Sequence, residues 1–376
     1  MPGGILGSAP KSHANIGARP RRAPPALETG ALHWARTYLF NNVHNSILTI
    51  LVLWALALNV PELIRWAFVD AVWVADDAAL CKGIAGACWA VIAEKHRVIL
   101  FGTFPYEEHW RGVAVIAIVI SLSIASAFRR LWSYWLFAAW VLATVVVLVL
   151  MFGGVFGLKP VTTNKWGGLP LTFLLFIGTV VGGLPAAVML ALGRRSQMPV
   201  IRAMSVGFIE VTRGTPLIVV LFMASLMFPL FVPERLTIDK LLRAQIGMIF
   251  FFGAYAAEVV RGGLQAIPRG QYEAADACGL TYWQKTRRII LPQALRIVIP
   301  PIMNDIIRAF KNTTFVSILG LYDILGATKA ALEDMRWVKY SPEAYIFIFA
   351  LYFMFCFSMS KYSQSVEKTL SKGKNF

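Results

Sequence analysis

The segment 269–301, RGQYEAADACGLTYWQKTRRIILPQALRIVIPP, is built of residue types suited to docking and lies between two apolar runs. Its first part, QYEAADAC, favours helix and stops at Gly279, a residue that closes helices by entering the left-handed region. Thr281 with Gln284 three residues on forms a capping box for a second helix, so the spacing predicts helix, turn, helix. On the first helix Ala274, Ala275, Ala277 and Cys278 leave a small-residue surface that another backbone can approach closely, and Glu273 and Asp276 place carboxylates on its rim. Pro292, Pro300 and Pro301 are expected to re-aim the chain into the next apolar run.

Other polar residues stand inside apolar runs, where an ionised group is costly and ordinarily faces a partner or a wet cavity. Asn304, Arg308 and Lys311 repeat at intervals of four and three, with Asp305, Asn312, Thr313 and Thr314 beside them, so one helical face is polar. Two roles fit that face. It lines a path for zwitterionic solutes, Arg or Lys holding a carboxylate and Asn or Thr an ammonium, or it joins neighbouring helices. Arg213 and Thr215 pose a similar choice, because Arg213 either meets a partner within the run or extends to the interface. Pro216 is expected to set a kink, and Glu258 has Arg261 or a partner subunit as its counter-charge.

The elements that must position these residues are membrane helices. The 376-residue chain is 57% hydrophobic, and its apolar residues come in long runs rather than stripes, the pattern of an all-α integral membrane protein. About eight runs reach the length that spans hydrocarbon: 46–69, 112–128, 135–152, 169–192, 205–232, 244–260, 294–317 and 344–359. The first is expected to break at Pro61, and the seventh carries Asp305, Arg308 and Lys311.

The net charge of +16 is spread over short connectors, including Arg129, Arg130, Arg194, Arg195, Arg287, Arg288 and Lys361, instead of gathering in one soluble domain. That distribution excludes nucleic acid as the natural partner and places these connectors, with both termini, in the cytoplasm. The exterior segments are diluted by Asp70, Asp76, Asp77, Glu94, Glu107, Glu108, Glu234 and Asp239. Residues 1–45 read as a polar cytoplasmic tail. Residues 46–165 read as a three-helix extension whose exterior loop has little sign of folding by itself, and 166–376 as a five-helix core containing the polar loop at about 264–296. Cys81 and Cys88 in CKGIAGAC either close a disulfide in an oxidising exterior or remain two thiols.

The run Glu273, Ala274, Ala275, three residues, Gly279, nine residues, Ile289, one residue, Leu291, Pro292 resembles the cytoplasmic EAA loop of ABC importer permeases at every position of that pattern. In that family the loop is a coupling helix seated in a cleft of the ATP-binding subunit. The stretch EVTRGTPLIVVLF, with Arg213, Gly214, Thr215 and Pro216, together with AYAAEVVRGGLQAIPRGQYEAA and RAFKNTTFVSILGLYDI, is similar to polar amino acid permeases of the histidine and glutamine type. This resemblance covers 169–359. The added N-terminal helices resemble a membrane subunit of the general L-amino acid permeases.

The resemblance implies a bacterial inner-membrane permease subunit that carries L-amino acids. Its partners would be a dimer of ATP-binding subunits, a second permease subunit, identical or homologous, a periplasmic amino acid-binding protein and membrane lipid. The chain has no G-x-x-x-x-G-K-[ST] phosphate loop, so ATP and magnesium belong to the partner subunit and no cofactor is expected here. Its five histidines show no metal-ligand spacing, and neither a catalytic nor a metal site is expected. Two rival classes are an ion-coupled secondary transporter, which calls for carboxylates central to discontinuous helices and finds only Asp305 in support, and a membrane docking protein that carries nothing.

Overall fold

The computed structural model describes residues 30–75, 77–233 and 238–372. Residues 1–29, most of the expected cytoplasmic tail, lie outside the described residues, as do Asp76 and Glu234 of the exterior segments. The chain forms two units, 1–70 and 71–376. In the first, α1 (Ala31–Tyr38) and α2 (Val43–Ile64) are joined by a short turn in which Asn42 caps α2 by accepting the Asn45 N–H at 2.9 Å. Helix thus begins inside the segment expected to be a tail. It also runs on past Pro61 to a widened turn at Arg65–Val69, since a membrane helix can absorb one proline by local adjustment.

The second unit holds α3 (Ala90–Phe101), α4 (His109–Ala127), α5 (Tyr134–Phe152), α6 (Gly168–Arg194), α7 (Pro199–Gly214), α8 (Leu217–Phe222), α9 (Phe228–Phe231), α10 (Lys240–Gln265), α11 (Arg269–Ala277), α12 (Tyr282–Lys285), α13 (Leu291–Asn312), α14 (Ile324–Ala331) and α15 (Ser341–Lys372). Among the described residues seven helices are long and apolar enough to cross a membrane. An eighth span exists only if Pro199–Gly214 and Leu217–Phe231 count as one, and these two are bent by 112°. The run 205–232 is therefore not a single straight helix. Pro216 disfavours helical backbone at Thr215, which is extended at φ −109°, and the chain turns there.

Segment 71–108 is more ordered than its composition suggests. Helix α3 packs Ile99 into a core shared with Val119 of α4, Leu169 and Phe173 of α6, Phe310 of α13, Ile324 and Ala331 of α14, and Ile348 of α15. The end of α3 approaches α6 so closely that a Cβ on Gly168 would lie 2.0 Å from the Leu100 carbonyl oxygen. The contacts thin at residue 70 rather than near 165, so α3, α4 and α5 belong to the same body as the five-helix core.

Cys81 and Cys88 form a disulfide, and the loop they close is fastened to α15 by the Cys88 N–H, which donates to the buried Glu343 carboxylate at 2.9 Å. Lys95 and Arg336 both hold Asp334, at 3.0 and 2.9 Å. Together they form a clasp at one end of the bundle, called here the clasp end; α11 lies at the opposite, loop end. Arg111 at the start of α4 is fully buried and donates to the carbonyls of Leu150 at 2.5 Å and Lys159 at 3.0 Å, which fixes the end of α5.

Replacing Arg111 by Ala leaves buried carbonyls without a donor and should cost about 2–4 kcal/mol, read as a lowered unfolding midpoint in detergent. Lys at that position should restore less than half, since one ammonium cannot reproduce the fork. Arg336, and then Lys95, hold the Asp334 carboxyl well below the usual carboxylate range. A depressed value contributes stability above the unfolded pKa and loses it only as pH falls through the folded one. Acidification to about pH 4 should therefore leave the clasp closed, with the protection of 330–340 against hydrogen exchange, relative to the intrinsic rate at each pH, unchanged, whereas Asp334→Asn should lower that protection at neutral pH.

Candidate functional site

At the loop end the docking segment is a short helix closed by a glycine. Gly279 takes φ +70°, its N–H donates to the Asp276 carbonyl at 2.9 Å and the Leu280 N–H to the Ala275 carbonyl at 3.2 Å, so the last carbonyls of α11 are satisfied. Thr281 then opens α12 through the expected reciprocal cap, its N–H donating to Gln284 Oε1 at 3.0 Å. Glu273, Ala274, Ala277 and Cys278 are exposed. Ala275 is not; it is 2% exposed and turned toward the bundle, so it packs the segment down instead of belonging to the approachable face.

Helix continues from α12 into α13 without a break, contrary to the expectation that prolines re-aim the chain. The five residues Thr286–Ile290 form a widened turn just before Pro292, which relieves the clash and the missing N–H that a proline brings to an α-helix. Ile289 and Leu291 pack against the loop-end core of α6, α7, α10 and α13.

Inside the bundle, Glu258 on α10 meets three guanidiniums: Arg194 of α6 at 2.7 Å, Arg261 of its own helix at 2.7 Å and Arg213 of α7 at 3.8 Å. Arg194 also meets Glu210 of α7 at 2.9 Å. One turn away on α10, the Tyr255 hydroxyl donates to the Arg213 carbonyl at 3.2 Å, and its ring lies 5.7 Å from the Arg213 guanidinium and 4.9 Å from that of Arg308 on α13. Arg308 is in turn paired with the buried Asp305. Arg213 thus has an internal partner, and Glu258 has partners on three helices rather than Arg261 alone.

Of the polar face foreseen on the seventh run, Arg308 and Asn312 line a small cavity with Asp305, Ala309, Tyr255, Thr179 and Leu217. Asn304 and Lys311 are exposed on the same helix and do not line it. Thr313 is buried, donates to the Phe310 carbonyl at 2.8 Å and faces Tyr352 of α15, so it serves helix packing. The cavity holds about 10 Å³, space for one water at most, so α10 and α13 must part before a solute could occupy it. A Cβ added to Gly214 would meet nothing within 4 Å, Thr215 donates to the Val211 carbonyl at 2.8 Å, and the chain bends between α7 and α8 at 213–216. Sequence reasoning missed Tyr255. Its signal was an aromatic hydroxyl three residues before an intramembrane glutamate.

The bundle thus carries an exposed, glycine-closed short helix at one end and a charged joint leading toward its centre. The model for the binding-protein-dependent transport system inner membrane component family matches residues 183–371. Similarity to curated proteins extends over nearly the whole chain. The inner membrane amino-acid ABC transporter permease protein YhdY of Escherichia coli is 45% identical over 95% of this chain and 98% of its own length. The glutamate/glutamine/aspartate/asparagine transport system permease protein BztC of Rhodobacter capsulatus is 35% identical over 93% and 96%. A crystal structure of an amino acid ABC transporter is 30% identical, covering 54% of this chain and 92% of that one, with a TM-score of 0.48. The chain belongs to the family of inner membrane components of binding-protein-dependent transport systems.

Glu258→Gln keeps the shape and removes the charge that three arginines share, and should destabilise the bundle by about 3–5 kcal/mol in detergent unfolding. Tyr255→Phe loses one hydrogen bond and should cost about 1 kcal/mol. An equal effect of both would contradict a charge-centred knot.

Proposed function

We propose that this chain is a permease subunit of an ATP-driven importer of L-amino acids, with its loop end and both termini in the cytoplasm. A second permease subunit, identical or homologous, completes the path; a dimer of ATP-binding subunits docks on the two loop segments; and a periplasmic binding protein delivers the solute at the clasp end. The observation that carries this reading is the docking segment itself: Glu273 and Ala274 are exposed on a short helix closed by Gly279, and after one turn α12 runs without a break into α13. The relatives' names support amino acids as cargo.

Closure of the ATP-binding subunits moves α11 and α12 with the base of α13. That motion draws Arg308 away from Tyr255 and opens the small cavity, so that the guanidinium, still paired with Asp305, can offer its remaining N–H groups to a carboxylate. Asp305 is paired with Arg308 on its own helix, and this reading asks no proton or sodium cycle of it. The free energy comes from the ATP-binding partner, and this chain supplies two arrangements of one bundle.

Purification in mild detergent with its neighbours should yield a complex whose ATPase activity rises with the loaded binding protein. Absence of any ATP-binding subunit from the complex would sink the importer reading. Gly279→Val, disfavoured in the left-handed region, and Glu273→Lys should abolish stimulated ATPase or assembly while membrane insertion persists. Arg308→Ala should lower uptake about tenfold or more with assembly unchanged, as loss of a charge-assisted contact predicts.

A further inference from the structure

At the loop end, beside the docking segment, a polar recess of about 500 Å³ is lined by Arg194, Arg195, Arg202, Arg261, Gln265 and Val206. Its guanidiniums come from the last residue of α6, the connector after it, α7 and the last turns of α10. Most are held in place by other bonds. Arg194 rests on Glu210 and Glu258, Arg261 on Glu258 and on Gln265 at 3.1 Å, and Arg195 on the Tyr272 hydroxyl at 3.1 Å. Among the described residues Arg195 and Arg202 meet no carboxylate within ion-pair distance. Four guanidiniums against the two carboxylates that touch them leave an excess of two positive charges.

We propose that this recess binds the phosphate-bearing headgroup of an anionic phospholipid. The chemistry fits because guanidiniums arriving from several directions suit an anion with several oxygens, each able to accept more than one N–H. The volume fits a headgroup with its glycerol better than a lone phosphate, which is nearer in size to a few waters. The depth fits as well. Helices α6 and α10 are 27 and 26 residues long, about 40 Å each, which is the thickness of a bilayer with its headgroups. Arg194 and Gln265 end those helices, so the recess opens at headgroup level, where an excess of arginine attracts anionic lipid. The opposite side of α7 exposes Val200, Met204 and Val211, an apolar strip suited to hydrocarbon, so the recess lies about one helix diameter from the strip. The assignment holds whichever solute is carried.

The test uses the full chain in neutral detergent, titrated with phosphatidylglycerol, phosphatidylcholine or inorganic phosphate. Bound lipid is counted by native mass spectrometry and stability is followed by thermal unfolding. The wild type should retain phosphatidylglycerol over phosphatidylcholine. The pair Arg195→Gln and Arg202→Gln should lose that preference about fivefold or more, while the pair Arg129→Gln and Arg130→Gln, which removes as much charge from another connector, should keep it. Equal loss in both pairs, or no lipid preference in the wild type, would overturn the site. Stabilisation by inorganic phosphate without any by phosphatidylglycerol would assign it to a free anion and overturn the lipid. Loss of ATP-binding-subunit co-purification in the Arg195 and Arg202 pair, with lipid retention unchanged, would give the recess to a protein partner.

Discussion

A charge turned into a packed bundle must be neutralised where it stands, and the Glu258 carboxylate is where this chain meets that requirement. Its side chain is 14% exposed and touched by arginines from α6, α7 and α10, so three helices that could otherwise slide on apolar surface are pinned at one depth. Removing the carboxylate leaves Arg213 and Arg261 without a counter-charge among the described residues, while Arg194 keeps Glu210. Above it, small residues do the remaining work. Gly183 on α6 faces Phe252 of α10, and Gly253 of α10 faces Ala186, so these helices close to backbone contact.

The knot also adjoins the bend between α7 and α8. Arg213 is the last charged residue before the bend between α7 and α8, and Tyr255 stands between it and Arg308 on α13. The joint in one helix and the guanidinium on another therefore share one ring. Any motion that carries α13 away from α10 has to break that contact and changes the surroundings of the joint at the same time.

Much of this was legible in residue order. The long apolar runs gave the spans, and Gly279 and Thr281 located the ends of α11 and α12, because caps are local chemistry. What stayed hidden depends on contacts between distant residues. Ala275 looked like part of the approachable face, yet burial of one side of α11 turns it inward. Thr313 belonged to a polar stripe by spacing but bonds its own helix and packs on α15. Segment 71–108 seemed unstructured because its composition is mixed, and only the surfaces of α6, α14 and α15 explain why α3 forms there. Proline read correctly at one place and misled at two. Pro216 sets the expected kink, a bend of 112°, whereas Pro61 and Pro292 leave their helices continuous because a widened turn adjoins each.

That widened turn has a mechanical consequence. Helix α13 extends 22 residues beyond it, a rod of about 33 Å, so a tilt of roughly 10° at Thr286–Ile290 would sweep Asn312 through about 6 Å. A small displacement beneath the turn becomes one comparable to the width of an amino acid at its tip, and the turn's spare residue supplies the pivot.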